Sequence, residues 1–199
     1  MSRIAFALSL VVLSGVTQIS QEAPSQEAAA YNDPDAYEVY SAILPQEWPW
    51  RVAKAQALAI RTETEPYKMC GHPDSESDRP QQPLVAAIAD YEKENQKEWL
   101  LQKQFEISKP YELVSKEEIT TAFNEGVGLG WRTFNTRHPD SHGWVELSAV
   151  GFDSSKTVAI VYVGHHCGGL CGGGTFHVLQ KIDGKWMPVK WGSFCMWVS

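Results

Sequence analysis

The chain has 199 residues, of which 43% are apolar and 21% are charged, and its formal net charge at pH 7 is −7. An apolar fraction this high excludes a disordered chain, and the length is sufficient for one domain with a full hydrophobic core. No more than two Lys or Arg residues are neighbours. This argues against nucleic acid and anionic membrane surfaces as partners, because both require concentrated positive charge.

The N-terminus has one positive charge, Arg3, followed by an apolar run from Ile4 to Val16. This pattern predicts a secretory signal peptide of residues 1–20, whose cleavage position the sequence leaves open. The run is shorter than the roughly 20 apolar residues that span a bilayer, and no cysteine stands directly after it, so we expect no stable membrane anchor. We predict a secreted or periplasmic protein in which residues 21–32 are a tether and residues 33–199 form a single domain.

Two segments in the first half of the chain have helical patterns. Asp33 and Pro34 supply an N-cap and a first-turn proline for a short helix that ends near Leu44. The clearest helix is residues 84–105, in which apolar residues share one face and charged residues the opposite face. Residues 52–62, which lie between them, are ambiguous, and we interpret them as a strand because their last residues alternate.

A shorter helix is predicted to begin after Ser115. Ser115 and Glu118 match the capping box, in which the two residues satisfy each other's backbone N–H groups. The glycines between residues 126 and 130 are expected to end this helix. One further helical turn at residues 131–134 is expected to pack on the core.

The last third of the chain has the alternation and the turn residues of strands. We predict five strands, at residues 144–152, 157–164, 175–182, 185–191 and 194–198. Asp183-Gly184 predicts a two-residue hairpin turn, and the run from Val158 to Val163 is apolar on both faces, as in a central strand. Short connections favour an antiparallel meander. The predicted class is α+β, with N-terminal helices packed on one face of a C-terminal curved antiparallel sheet of about five strands.

Four cysteines, Cys70, Cys167, Cys171 and Cys195, allow three pairings. In an exported chain we expect them to form disulfides. We favour Cys167 with Cys171, which closes a short loop, and Cys70 with Cys195. The longer bond removes more entropy from the unfolded chain, on the order of 4 to 5 kcal/mol in the loop-closure treatment. Cys70 also begins a segment rich in proline and charge that we interpret as an exposed loop ending at Pro83.

The stretch from Gly164 to His177 concentrates residues that can carry chemistry. His165, His166, His177 and the two cysteines between them are all zinc-ligand types. Their spacing is unlike that of common zinc sites, however, and oxidised cysteines do not ligate a metal. A reactive cysteine pair and an anion-binding nest of glycine N–H groups are further alternatives. We favour a disulfide-linked hairpin loop without a cofactor, in which the three histidines are speculative metal or ligand contacts.

Tryptophans and a short polar segment are the remaining candidates. The chain has eight tryptophans, enough for a sugar-stacking or peptide-binding platform, but we expect four of them to pack the interface of helices and sheet: Trp99, Trp131, Trp144 and Trp186. Asp140, Ser141 and His142 are the residue types of a catalytic triad. Three neighbours in sequence point in different directions, however, and the Gly-x-Ser-x-Gly motif is absent from the sequence.

Six motifs follow one another in the C-terminal part: Trp131-x-x-Phe134, Pro139-x-Ser141-x-Gly143, Leu147-Ser148-x-Val150-Gly151-Phe152, Cys167-x-x-Leu170-Cys171-Gly172, Asp183-Gly184-Lys185-Trp186 and Trp197-Val198-Ser199. Together they resemble a family of small, secreted, uncharacterised bacterial proteins, except that Ala149 stands where the pattern has a basic residue. The resemblance implies no activity and supplies no catalytic residues. The closing hairpin is similar to the end of NTF2-like or cystatin-like sheets, an analogy of fold that implies no function.

We therefore predict a non-enzymatic exported domain that binds a protein partner or a small ligand, with no catalytic residue assigned. The alternative is a metal-dependent or hydrolytic enzyme centred on His165, His166 and the Cys167–Cys171 loop. The two hypotheses differ in whether the three histidines converge in space beside an open pocket.

Overall fold

A computed structural model describes residues 28–47, 55–70 and 82–199, and of residues 190–194 the backbone alone. The predicted signal peptide of residues 1–20, most of the predicted tether and most of the loop after Cys70 lie outside the described residues. Among the helices that the structure describes, each is too short or too polar to cross a membrane.

The described part of the chain has four α-helices: α1 (Pro34–Ile43), α2 (Gln82–Glu94), α3 (Lys116–Ala122) and α4 (Val127–Arg137). A turn of 3₁₀ helix, Leu44–Gln46, continues α1. Both predicted N-cap residues are confirmed, although among the described residues only one of the two bonds of the predicted capping box is present. The Asp33 carboxylate accepts a hydrogen bond from Asp35 N at 3.0 Å, and the Ser115 hydroxyl accepts one from Glu118 N at 3.1 Å.

The predicted helix of residues 84–105 is wrong at its C-terminal end. Helix α2 ends at Glu94, because the next residues turn the chain into a short strand. The Asn95 amide donates to the backbone carbonyls of Tyr91 and Ala149, and the Trp99 indole donates to the carbonyl of Glu94. The bonds to Tyr91 and Glu94 satisfy carbonyl groups in the last turn of the helix, and the bond to Ala149 joins the helix end to a segment that is distant in sequence.

The glycines between residues 126 and 130 act differently from one another. Gly126, at φ +96°, lies between α3 and α4 and allows the chain to turn. Gly128 and Gly130 lie within α4, so the expected single turn at residues 131–134 belongs to a longer helix. Gly130 is a point of close approach, because a Cβ atom there would lie 2.4 Å from Cδ1 of Phe123.

Nine strands occur among the described residues: β1 (Ala29–Ala30), β2 (Leu58–Arg61), β3 (Trp99–Leu100), β4 (Tyr111–Val114), β5 (Trp144–Leu147), β6 (Gly151–Phe152), β7 (Val158–Gly168), β8 (Cys171–Ile182) and β9 (Lys185–Val198). Seven of them form one sheet of order β4-β2-β5-β7-β8-β9, with β6 paired to β7, whereas β1 and β3 form a separate parallel pair. In the large sheet β2 is parallel to β4 and β5, and the other pairs are antiparallel.

The α+β class is therefore confirmed, but the sheet is mixed and seven-stranded rather than antiparallel with about five strands. Strands β2 and β4 come from the first part of the chain and are only four residues each. The strand interpreted within residues 52–62 is present as β2, whereas β4 was not predicted. The parallel pairing of both strands joins segments that are distant in sequence.

Helices cover both faces of the sheet, so the expectation of helices on one face is wrong. Ala159, Val161 and Val163 of β7 belong to the same core cluster as α1, and we call their side of the sheet the α1 face. Ile160 and Tyr162 pack with α2 on the opposite side, the α2 face. Helices α3 and α4 also lie on the α2 face, through Ala122 and Phe134. Because β7 is apolar on both faces, both faces require a covering layer.

The predicted tether of residues 21–32 is too long at its C-terminal end. Ala29 and Ala30 pair with Trp99 and Leu100, and the Tyr31 side chain is only 5% exposed. The Tyr31 hydroxyl accepts a hydrogen bond from the backbone N–H of Val150 at 3.0 Å. The folded domain therefore begins before Asp33.

Strands β7 and β8 continue through the glycine-rich stretch, and only Gly169 and Leu170 form the tip of their hairpin. The two favoured disulfides, Cys167–Cys171 and Cys70–Cys195, are both present. Asp183 and Gly184, at φ +50° and +76°, form the predicted two-residue turn between β8 and β9.

Candidate functional site

A cleft of about 510 Å³ opens on the α2 face of the sheet. Its base consists of side chains from four strands of the sheet: Arg61 on β2, Trp144 and Glu146 on β5, His166 on β7 and, beyond β8, Trp197 on β9. Tyr67 lies at one rim, and Lys116 and Thr120 of α3 lie at the other. Trp144 is opposite His166 in the ladder, and Glu146 is opposite Gly164, so the pleat directs these side chains to the same face.

Glycines on this face make room for the base of the cleft. A Cβ atom at Gly174 would lie 2.1 Å from the Tyr162 hydroxyl oxygen and 2.6 Å from Nε1 of Trp197. One at Gly164 would lie 2.9 Å from Cγ of Glu146. The glycine-rich sequence therefore does more than form a turn, since it allows Trp197 and Glu146 to lie directly over the strands.

Hydrogen bonding and stacking fix the aromatic side of the cleft. The Trp197 indole N–H donates to the Tyr162 hydroxyl at 2.8 Å. The Tyr162 ring in turn stacks on Tyr67, with centroids 4.1 Å apart and an interplanar angle of 2°. Burial raises the pKa of Tyr162, so its hydroxyl stays protonated at physiological pH.

His166 is held from three directions. Its ring stacks on Trp144 at 4.9 Å and lies 5.7 Å from the ring of Trp197. Its Nε2 atom is 2.8 Å from Oε1 of Glu146. The opposite face of Trp144 stacks on Trp131 at 4.8 Å, so the imidazole rests on an aromatic column that continues into the core.

Arg61 and Glu146 form a buried ion pair at the base of the cleft. Both residues are less than one-tenth exposed, and Arg61 Nη1 donates to Glu146 Oε2 at 3.1 Å. Arg61 Nε donates to the carbonyl of Glu63, and Nη2 lies 2.7 Å from Oε2 of Glu65. The Nη2 contact is an ion pair without hydrogen-bond geometry to any described acceptor. A buried charge is tolerated only when it is paired in this way.

The three candidate histidines do not converge. His165 and His177 lie on the α1 face, where His177 Nε2 is 3.1 Å from Oε1 of Glu47, and His166 lies on the opposite face. Burial lowers the pKa of His165, the Glu47 carboxylate opposes that effect, and His166 adds to it. The separation follows from the alternation of neighbouring side chains along a strand.

The cysteine loop offers no thiolate, because Cys167 and Cys171 are joined in a disulfide. Across the described ranges, no group of three or more His, Cys, Asp or Glu side chains is arranged to hold a metal ion. In the alternative hypothesis of a metal-dependent enzyme, Cys167 and Cys171 therefore cannot serve as metal ligands. Of the three candidate histidines, His166 is the one that faces the cleft.

The other sequence candidates have structural roles. The carbonyl of Asp140 accepts hydrogen bonds from the N–H groups of Gln56 and Ala57, and the Ser141 hydroxyl donates to the carbonyl of His138. Trp186 is buried in the α1-face core, and Trp131 packs with α3 and α4, as expected. Trp144 both packs against the core and lines the cleft.

Sequence reasoning missed Arg61, Glu65, Glu146, Tyr67 and Trp197. They are scattered over the chain and share no motif, because the pairing of strands in the sheet and the path of the segment after β2 bring them together. One signal was available: Glu146 interrupts the apolar pattern of Trp144–Leu147, and a charged side chain in such a strand needs a buried partner.

No family model, curated protein or solved structure matches the chain. The cleft geometry is therefore the basis for a functional inference. It combines donors (Arg61 and Lys116), acceptors (Glu65 and Glu146), an imidazole and an aromatic surface within one concavity. This combination is typical of a site that binds a small polar molecule.

Proposed function

We propose that the protein is a secreted or periplasmic, non-enzymatic domain that binds a small polar ligand in the α2-face cleft. One observation carries the proposal. Arg61, Glu146 and His166 are held in a single arrangement by their mutual hydrogen bonds and by stacking on Trp144. Such pre-organisation lowers the entropy that binding must overcome.

Two features support an exported location. The N-terminal charge and apolar run follow the plan of a signal peptide. The four cysteines are all paired in disulfides, which persist in oxidising compartments and are rare in the cytosol.

The shape of the site favours a small molecule over a protein partner. The cleft has a volume of about 510 Å³, within the range of roughly 300 to 1,000 Å³ that is typical of small-molecule sites. The polar groups of the cleft lie at its base. The side chains of a protein partner with a flat surface would reach them poorly, whereas a small molecule can enter the cleft.

A hydrolytic enzyme is the second candidate, and the contact between His166 and Glu146 favours it. A histidine bonded to a carboxylate is a common arrangement for a general base. In that case the imidazole would activate a water molecule in the cleft, because both cysteines nearby are oxidised. This candidate predicts turnover, whereas the binding proposal predicts an unchanged ligand.

The test is a thermal-shift screen of the disulfide-intact protein against a library of small metabolites, with each hit analysed for conversion by mass spectrometry. We expect a hit that raises the melting temperature of the parent and of His165→Gln, whose side chain lies on the opposite face, but not of His166→Gln. A hit that stabilises all three proteins equally would place binding elsewhere and overturn the proposal. Conversion of the hit to a product would favour the hydrolytic candidate.

A further inference from the structure

We infer that the ligand of the α2-face cleft is a neutral saccharide, of the size of a monosaccharide or a disaccharide. This inference rests on the proposed function and specifies the chemistry of its ligand. Three properties of the cleft point to it: the balance of its charges, the mixture of donors and acceptors at its base, and the aromatic ring beside them.

The side chains that line the cleft include two cations, Arg61 and Lys116, and two carboxylates, Glu65 and Glu146. Arg61 contacts the carboxylates of Glu146 and Glu65, at 3.1 and 2.7 Å, and Lys116 at the rim pairs with Glu98. An anionic ligand would meet two carboxylates at the base, and a cationic ligand would meet a guanidinium and an ammonium group. Each would lose part of its attraction to repulsion, whereas a neutral ligand would not.

The same pairs remain able to bind hydroxyl groups. A carboxylate has about four lone-pair sites on its two oxygens. In Glu146 one oxygen contacts Arg61 and the other contacts His166, so about two lone-pair sites remain for a ligand. Thr120 adds a hydroxyl at the α3 rim, which donates to the carbonyl of Lys116 and can accept a hydrogen bond from a ligand. Since a sugar hydroxyl both donates and accepts, a site that alternates acceptors with donors suits several hydroxyls on neighbouring carbons.

Trp197 supplies the apolar surface that the ring of a sugar needs. Its indole lies over the backbone of Gly172 and Gly174 on one side, because Cβ atoms there would come within 3.6 and 2.6 Å of the ring. Its N–H group is already bonded to Tyr162. The indole therefore offers its carbon surface to the cleft, and C–H groups on one side of a pyranose ring pack well on such a surface.

The experiment is titration calorimetry with defined probes. The neutral probes are glucose, galactose, mannose, N-acetylglucosamine and the β-1,4-linked dimers of glucose and of N-acetylglucosamine. The charged counterparts are glucuronate and glucosamine. We expect at least one neutral probe to bind, and its charged counterpart to bind about tenfold more weakly or not at all.

Variants locate the bound probe. Trp197→Ala is expected to weaken binding about tenfold, and Trp197→Phe by less, because the phenyl ring keeps part of the stacking surface. Trp99→Ala is the matched control, since Trp99 is also half-buried but lies outside the cleft. Circular dichroism and the melting temperature show whether each variant folds. If Trp197→Ala does not fold, Trp197→Phe alone decides the test.

The outcomes distinguish failure of the saccharide assignment from failure of the proposed function. If a charged counterpart binds tighter than every neutral probe, with dependence on Trp197, the cleft is a binding site but not for neutral saccharides. Binding of a neutral probe that is unaffected by Trp197→Phe and Trp197→Ala overturns the saccharide assignment to this cleft. If no neutral probe binds while a metabolite from the screen does, the saccharide inference fails alone. If neither binds, the proposed function fails as well.

Discussion

At the scale of single residues, Glu146 contributes most to the organisation of the site. It occupies a strand position where its neighbours are apolar, it is 8% exposed, and its two oxygens contact Arg61 and His166. A buried carboxylate with two partners holds three strands, β2, β5 and β7, in one relative position. The buried Glu146 carboxylate depends on Arg61 for its compensating charge, because removal of one partner of a buried ion pair leaves the other charge uncompensated.

Arg61→Met is expected to destabilise the protein by about 3 kcal/mol, because it leaves the Glu146 carboxylate buried without its guanidinium partner. Urea unfolding followed by circular dichroism measures the change. The double variant Arg61→Met with Glu146→Leu should recover much of the loss, since the only carboxylate that then lacks its guanidinium partner is Glu65, whose side chain is partly exposed to solvent. Equal stability of the single variant and the parent would show that the pair is not buried as the structure has it.

The stability of the protein should fall in mild acid, in part because of His165. Burial lowers the pKa of His165 in the folded protein below its ordinary value of about 6.5, although the Glu47 carboxylate opposes the shift. The unfolded chain then binds more protons than the folded one, so stability is complete above about pH 6.5 and decreases as the pH falls towards the lowered pKa. His165→Gln should show a smaller decrease in melting temperature between pH 7 and pH 5. An unchanged decrease would contradict this role.

At the scale of elements, the sequence predicted best where pairing is local. Strands β7, β8 and β9 follow one another through two-residue turns, so alternation and the Asp183-Gly184 signal located all three. Their bounds were not predicted, since β7 and β8 extend into the glycine-rich stretch and β9 is one strand where two were expected. The caps of α1 and α3 were equally local. Alternation also indicated β2, within the ambiguous residues 52–62. Strand β4 and the parallel pairing of β2 with β4 and β5 were not predicted, because these partners are distant in sequence.

The cleft was less predictable than the fold. The glycine-rich stretch drew attention to the correct hairpin, but its histidines were treated as one group although adjacent strand residues face opposite sides. Trp197 was named only in the closing motif and as one of eight tryptophans, because its position over Gly174 depends on the register between β8 and β9.

Gly174→Ala tests whether the glycines support the cleft. A methyl group there would lie 2.1 Å from the Tyr162 hydroxyl oxygen, so we expect a loss of about 1 to 3 kcal/mol in stability and displacement of Trp197. Gly128→Ala is the matched control. It lies within α4 with nothing within 4 Å of an added Cβ, and it should stabilise the helix by about 0.5 to 1 kcal/mol. Chemical denaturation and the intensity of tryptophan fluorescence measure both effects.

At the scale of the whole molecule, one disulfide joins distant parts of the chain. Cys70 and Cys195 are separated by 125 residues, and the bond links the segment after β2 to the last strand. The other disulfide closes a loop with a separation of only four residues at the hairpin tip. The entropic effect on the unfolded chain grows with loop length, so the long-range bond is expected to contribute more.

Cys195→Ser should lower the melting temperature of the oxidised protein by roughly 10 °C, which corresponds to about 4 kcal/mol for a domain of this size. The pair of substitutions Cys167→Ser and Cys171→Ser is the comparison and should lower it by less. Scanning calorimetry with and without reductant measures both. If Cys195→Ser has no effect in oxidising buffer, the long-range bond does not contribute to stability.

The place of β2 in the sheet has a consequence for the order in which a nascent chain can assemble. Strand β2 leaves the ribosome early, yet both of its neighbours, β4 and β5, are synthesised after it. The meander of β7, β8 and β9 has short connections and can form rapidly, whereas β2 must wait for slow, non-local closure. Arg61 therefore reaches Glu146 late, and the cleft exists only once assembly is nearly complete. Pulsed hydrogen exchange during refolding should accordingly protect the amides of Val161 and Val178 before that of Ile60.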